Sequence, residues 1–259
     1  MDLGLAGRTA IVCGASKGLG RACAEALARE GVDVTLVART PETLESAAEA
    51  IAAAAPSTTV TTLPADVGTL AGVETIIAGR PQADILVTNS GHSPKGEELE
   101  WDAAAWERAT YHHMIAPIML IRHYVAGMSE RRFGRVVNIT SRAIRAPMEY
   151  MTLGNAPRAG LTGFVATVSR KVAKDNVAIN NLLPGPFATA TQAKGLQRLA
   201  ALADRDLAEF TEERTAQVPA HRFGDPSEVG ALCAYLCSAQ AGFIVGQNIL
   251  IDGGAVNLV

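Results

Sequence analysis

The sequence predicts an α/β fold: one parallel sheet with helices covering both faces. Short β-branched runs alternate with longer alanine-rich segments of helical pattern, as successive βαβ units require. The 259 residues suit a single α/β domain. No internal repeat and no domain linker interrupts the alternation. In order, Thr9–Cys13 reads as a strand and Gly18–Glu30 as a helix, then Val32–Ala38 as a strand and Pro41–Ala54 as a helix. Thr59–Leu63 is the third strand, followed by a shorter helix over Thr69–Ala78 and a fourth strand over Asp84–Thr88. Trp101–Glu130 contains a long helix, Arg135–Ile139 is the fifth strand and Glu149–Lys174 another long helix. Val177–Leu183, Pro226–Ser238 and Gln247–Ile251 complete the pattern as strand, helix and strand. The stretch 188–219 is irregular, polar and partly helical, and has the size of a lid over a ligand site.

Composition narrows the functional classes. With 48% hydrophobic and 19% charged residues the chain can bury a core without disulfides and is not a disordered chain. A net charge of −3 argues against general nucleic-acid binding, which needs a basic surface. The segment Val229–Ile251 is uncharged and long enough to span a bilayer, but Ser238, Gln240, Gly242, Gly246, Gln247 and Asn248 interrupt it. It reads as helix, loop and buried strand, so no membrane association is expected. Cys13, Cys23, Cys233 and Cys237 lack the spacing of a zinc or redox site and read as core thiols. The N-terminus has no basic region of a signal peptide, and a cytoplasmic protein is expected. The five histidines have no metal-ligand spacing, so no metal is expected.

The first strand runs into Gly14-Ala15-Ser16-Lys17-Gly18-Leu19-Gly20, which opens a helix. Glycines there allow a tight turn, and the helix start offers free N–H groups and a positive dipole end to a pyrophosphate. A site for an unphosphorylated ribose places an acid at the end of the second strand. This chain has Val37-Ala38-Arg39-Thr40 instead. The planar fork of Arg39 suits a 2′-phosphate and Lys17 adds charge, which favours NADP(H) over NAD(H).

Further marks follow at strand ends: Asp66-Val67, Asn89-Ser90-Gly91, Asn138-Ile139-Thr140-Ser141, Pro184-Gly185 with Thr189, and Asp252-Gly253-Gly254. In this order they resemble the short-chain dehydrogenase/reductase family, and in particular its 3-oxoacyl-acyl-carrier-protein reductase-like members. The resemblance runs from Leu5 to Gly254. It implies a single extended Rossmann domain, a doubly wound parallel sheet flanked by helices, over residues 1–259. It also implies a homotetramer joined through the two long helices, working on a small-molecule substrate. By the same resemblance Asp66 and Val67 contact the adenine, Asn89 and Gly91 line the cofactor, and Pro184, Gly185 and Thr189 hold its nicotinamide end.

The family's chemistry uses an Asn, a Ser, and a Tyr-x-x-x-Lys pair. Here Ser141 is present, but the downstream Ala-Gly-Leu-Thr-Gly register puts Gly154 at the tyrosine and Arg158 at the lysine. The Asn position, counted from Trp106, falls on His113. The stretch Leu153-Gly154-Asn155-Ala156-Pro157-Arg158 resembles a divergent reductase-like branch with a Leu-x-Asn-x-x-Arg-like segment. Gly154 cannot donate a proton, while Arg158 can hold ribose hydroxyls but is a poor proton shuttle. Four substitutes are candidates. Tyr150 lies one turn before Gly154 and faces the side of Arg158 if the helix has begun there. His113 titrates near neutrality, although it can equally pack at a subunit contact. His112 points elsewhere on the helix, so both histidines cannot serve one site. Ser141 can polarise a carbonyl, and His92 follows the Asn-Ser-Gly turn, where it either reaches the cleft or, as the turn favours, stays a solvated loop histidine. The expected activity is NADP(H)-dependent redox chemistry on a carbonyl or secondary alcohol. The alternatives are a non-redox lyase or isomerase, or a silent nucleotide-binding sensor or partner subunit.

Overall fold

The computed structural model describes residues 1–91, 93–97 and 99–257. Among them, seven strands form one parallel sheet: β1 (Thr9–Cys13), β2 (Asp33–Ala38), β3 (Val60–Pro64), β4 (Ile85–Asn89), β5 (Gly134–Ile139), β6 (Val177–Pro184) and β7 (Asn248–Ile251). Their order is β3-β2-β1-β4-β5-β6-β7, so the winding reverses between β1 and β4. Val12 of β1 pairs with Leu36 on one side and Val87 on the other.

Strand sequences explain the layering. In β1, Ala10 and Val12 enter one core while Ile11 and Cys13 enter the other, so an apolar run fills both sheet faces. The first core is closed by α1 (Gly18–Arg29), α2 (Pro41–Ala54) and α9 (Pro226–Cys237). The second is closed by α3 (Leu70–Gly79), α5 (Ala116–Glu130) and α6 (Thr152–Val172). The expected long helix over Trp101–Glu130 is α4 (Ala103–Thr110) and α5 joined by a π-helical turn, Tyr111–Ile115. The four cysteines are buried, and burial pushes the Cys13 thiol up to about 12.

The uncharged stretch Val229–Ile251 divides as expected into the body of α9, a loop and β7. β7 is half-buried rather than buried, because it is the last strand and has only β6 beside it. Among the described residues no helix is long and apolar enough to cross a membrane. Within 188–219 the chain forms α7 (Ala190–Leu202) and α8 (Leu207–Ala216). Leu196, Ala200 and Phe210 bury one another beside Phe223, whereas Leu199, Leu202 and Leu207 are exposed.

A polar ladder crosses the sheet from β4 to β7, starting one residue before the ends of β4 and β5. Thr88 Oγ1 donates to Asn138 Oδ1 (2.7 Å), Asn138 Nδ2 to Asn181 Oδ1 (2.9 Å), and Asn181 Nδ2 to Asn248 Oδ1 (2.7 Å). Thr88, Asn138 and Asn181 are buried, so every bond lost leaves a polar group without water. Asn138→Leu orphans Thr88 and Asn181 together and is expected to cost about 3 kcal/mol, read by urea unfolding. A loss below about 0.5 kcal/mol would show that the ladder adds nothing net.

Candidate active site

Several helices start with a side-chain cap, whereas α1, α2 and α6 do not. Thr69, Asp102, Thr189 and Asp206 cap α3, α4, α7 and α8 with their side chains, and Asp225 with Glu228 forms a capping box on α9. At α1 the capping position is Lys17, which makes no side-chain cap, and the first turn has no acid. The leading N–H groups of α1 therefore face the cleft without a side-chain acceptor.

That cleft opens at the reversal point between β1 and β4, where open α/β sheets bind ligands. Backbone approach there is close. A Cβ at Gly14 would lie 2.6 Å from Asn89 Nδ2 and 2.9 Å from its carbonyl, and Gly14 has φ +62°. A Cβ at Gly20 would lie 2.8 Å from the same Nδ2 and closer still to the Gly14 carbonyl. Ser16 and Gly18 lie along the turn, and Leu19 packs against the core beneath it. Thr189 faces the turn from the far side, its methyl 3.6 Å from where a Gly18 Cβ would be. Its hydroxyl accepts from Gln192 N at 3.2 Å, which starts α7.

Beyond the turn, Arg39 and Lys17 are exposed, and neither has an ion-pair partner among the described residues. Asp66 Oδ1 accepts from Gly68 N at 2.9 Å, which shapes the loop after β3. Val67, Asn89, Ser90 and His112 line one small recess. Pro184 ends β6, and Gly185 N donates to the Ile251 carbonyl (2.9 Å), which ties this end of β6 to β7.

The reacting end differs from expectation in two respects. Tyr150 does not sit on the helix: α6 starts at Thr152, and Tyr150 precedes it with φ +58°. Its carbonyl accepts from Gly96 N (3.2 Å), holding the chain in a turn rather than a helical approach to Arg158. Nor do His112 and His113 diverge. Their rings stack with centroids 4.8 Å apart and planes 15° apart, and both line one cavity of about 120 Å³. Their place in the wide π-helical turn, where successive side chains rotate less than in an α-helix, makes this possible.

His113 is buried, with Ser90 Oγ 2.8 Å from Nδ1 and Ser93 Oγ 2.6 Å from Nε2. Neither serine was singled out by sequence, although Ser90 sits inside the Asn-Ser-Gly mark. Burial lowers the pKa of His112, an effect that Asp66 partly opposes. Ser141 Oγ accepts from Ala143 N (3.1 Å) and so starts the short turn Arg142–Ile144. His92 lies outside the described residues.

Arg158 is buried, which lowers its pKa to about 10. Its guanidinium donates to the carbonyls of Gly154 (3.0 Å) and Gly91 (2.9 Å). A Cβ at Gly154 would fall against Nη1 of Arg158 and 3.2 Å from Ser93 Oγ. The loss of a side chain at 154 and the presence of a guanidinium at 158 are thus one packing arrangement.

Known proteins resemble this chain along its full length. A family model described as enoyl-(acyl carrier protein) reductase matches residues 14–256. Nodulation protein G of a Rhizobium species is 31% identical, with 96% of this chain and 97% of that protein covered. The 3-oxoacyl-acyl-carrier-protein reductase of Vibrio cholerae is also 31% identical, with 97% and 98% covered. Among solved structures, L-sorbose reductase from Gluconobacter frateurii, complexed with NADPH and L-sorbose, superposes with a TM-score of 0.93 at 30% identity and full coverage of both chains.

Proposed function

The chain belongs to the short-chain dehydrogenase/reductase family, in its 3-oxoacyl-acyl-carrier-protein reductase-like branch, and on that premise we propose that it is an NADP(H)-dependent oxidoreductase. Its substrate is a carbonyl compound or a secondary alcohol, and it works as a homotetramer. The observation that carries the reading is the turn after β1, where Gly14 and Gly20 leave no room for a side chain beside Asn89 and α1 starts without a cap.

When bound, the nicotinamide supplies or accepts hydride. Everything else falls to the chain's own residues. Gly14, Ser16, Lys17, Gly18, Leu19 and Gly20 form the pyrophosphate turn. Asp66 and Val67 flank the adenine, and Asn89 and Gly91 line the middle of the cleft. Pro184, Gly185 and Thr189 border its nicotinamide end, and Ser141 polarises the substrate oxygen. Arg158 spends two of its five N–H groups on backbone carbonyls and keeps others for ribose hydroxyls. Helices α7 and α8 close over the cleft and exclude water, with the exposed Leu199, Leu202 and Leu207 available to an apolar substrate.

Arg39 and Lys17 select the 2′-phosphate. That the sorbose reductase was solved with NADPH supports this preference. Titration with NADPH and NADH, followed by nicotinamide fluorescence, tests it. NADPH is expected to bind more tightly, and Arg39→Asp to weaken it by about 10- to 100-fold, the worth of one or two charge-assisted hydrogen bonds. Failure to bind either nucleotide would overturn the proposal. The bare backbone of Gly154 favours one other reading, a nucleotide-binding subunit without chemistry. NADPH binding with no absorbance change across a broad carbonyl panel selects it.

A further inference from the structure

We infer that Ser93, held by the buried His113, replaces the missing tyrosine as the proton donor, with Ser90 completing the relay behind it. The inference rests on the oxidoreductase reading above. Three observations meet at one place. Ser93 Oγ is 2.6 Å from His113 Nε2, and Ser90 Oγ is 2.8 Å from Nδ1, so both ring nitrogens are engaged. Ser93 Oγ is also 3.2 Å from where a Gly154 Cβ would begin, the position at which the family's tyrosine enters the site. Finally, Ser93 and His113 line the cavity of about 120 Å³, together with Trp101, Arg108, His112 and Leu153.

The cavity has room for the reacting end of a small substrate beside Ser93. The volume approaches the ~150 Å³ of a cavity that accepts benzene.

A neutral imidazole has one donor nitrogen and one acceptor nitrogen, so it passes a proton only in one sense at a time. The described charged and titratable groups around His113 are His112 stacked on it, Arg108 on α4 and Arg158 on α6. The relay requires a neutral ring with Nε2 protonated toward Ser93 and Nδ1 accepting from Ser90, the tautomer that leaves the Ser93 proton for the substrate. In the reducing direction the carbonyl carbon gains hydride from the reduced nicotinamide, and its oxygen takes the proton of Ser93. Ser93 recovers a proton from His113 Nε2, His113 Nδ1 takes that of Ser90, and Ser90 is refilled from water. One hydride and one solvent proton are consumed; both serines end as they began, while the ring ends as its Nδ1-protonated tautomer and returns to the first by proton exchange before the next turnover. Ser93 is the catalytic residue in this scheme, while His113 and Ser90 are positioning residues.

The test uses the whole protein and two readouts. Nitrogen-15 spectra of the histidine rings, in the protein without nucleotide, are expected to show His113 neutral at pH 7 and protonated at Nε2. Ser93→Ala should move the Nε2 signal and Ser90→Ala the Nδ1 signal. A charged ring at pH 7, or signals indifferent to both substitutions, would overturn the relay. In turnover, Ser93→Ala should lower kcat about 100-fold, the lower end of general-acid contributions, with NADPH binding and KM unchanged. Ser93→Cys should recover part of the rate with a shifted pH profile, because a thiol is again a donor. A wild-type enzyme that turns over a carbonyl while Ser93→Ala matches it defeats the relay alone. A wild type that binds NADPH and turns over nothing defeats the oxidoreductase reading and the relay with it.

Discussion

Gly154→Tyr alone is expected to lower the thermal midpoint and add no carbonyl turnover, whereas Gly154→Tyr with Arg158→Lys is expected to raise turnover by about 100-fold. The asymmetry follows from one contact. Any side chain at 154 starts inside the space held by the Arg158 guanidinium. That group is the far end of a flexible side chain, so it can move, but moving breaks its bonds to the Gly154 and Gly91 carbonyls and relocates a buried charge. Two charge-assisted bonds set the cost at about 2 kcal/mol or more. A displaced guanidinium also no longer holds a fixed cation beside the phenol, so the new tyrosine keeps its ordinary pKa and donates inefficiently. Lysine at 158 removes the fork, frees the space and leaves a compact cation one helical turn away, which lowers the tyrosine pKa. Calorimetry and nicotinamide absorbance read both variants. Full turnover in the single variant would show that the guanidinium is no obstacle.

That coupling marks the boundary of what the amino-acid sequence makes legible. Strands such as Thr9–Cys13 are short and β-branched, and the helices between them are long and alanine-rich, so the sheet and its layers could be read from pattern alone. The turn at Gly14–Gly20 was legible for a similar reason: glycines cluster only where backbone must approach backbone, and Asn89 supplies that backbone from β4. The reacting end was not legible, because its geometry depends on local departures from regular structure. Tyr150 reads as part of a helical turn by spacing, but the helix begins two residues later. His112 and His113 read as diverging on an α-helix, but the π-helical turn stacks them. Ser93 has no motif around it and gains meaning only from the histidine 20 residues away that folds against it. Residue spacing reports periodic structure well, and this site is assembled from interruptions of the period.

Gly20→Ala and Gly195→Ala are expected to shift stability in opposite directions, and only the first to touch nucleotide binding. Both glycines lie in helices, where alanine is intrinsically favoured by about 1 kcal/mol. At Gly195, on α7, nothing lies within 4 Å of an added Cβ, so the variant should gain up to that amount. At Gly20 the Cβ would press on the Gly14 carbonyl and lie 2.8 Å from Asn89 Nδ2. The first obstacle is backbone and cannot swing aside. Gly14 itself runs close to Asn89, whose Nδ2 lies 2.6 Å from where a Gly14 Cβ would be. The turn must therefore open, at an overpacking cost of about 1–3 kcal/mol that exceeds the helical gain. Opening it displaces the N–H groups at the start of α1 from the geometry a pyrophosphate needs, so NADPH affinity should fall by more than about 100-fold, the worth of roughly 3 kcal/mol. Urea unfolding and fluorescence titration of the two variants side by side decide the matter. Unchanged NADPH affinity in Gly20→Ala would mean that the turn after β1 is not where the nucleotide binds, and the proposed function would lose its main support.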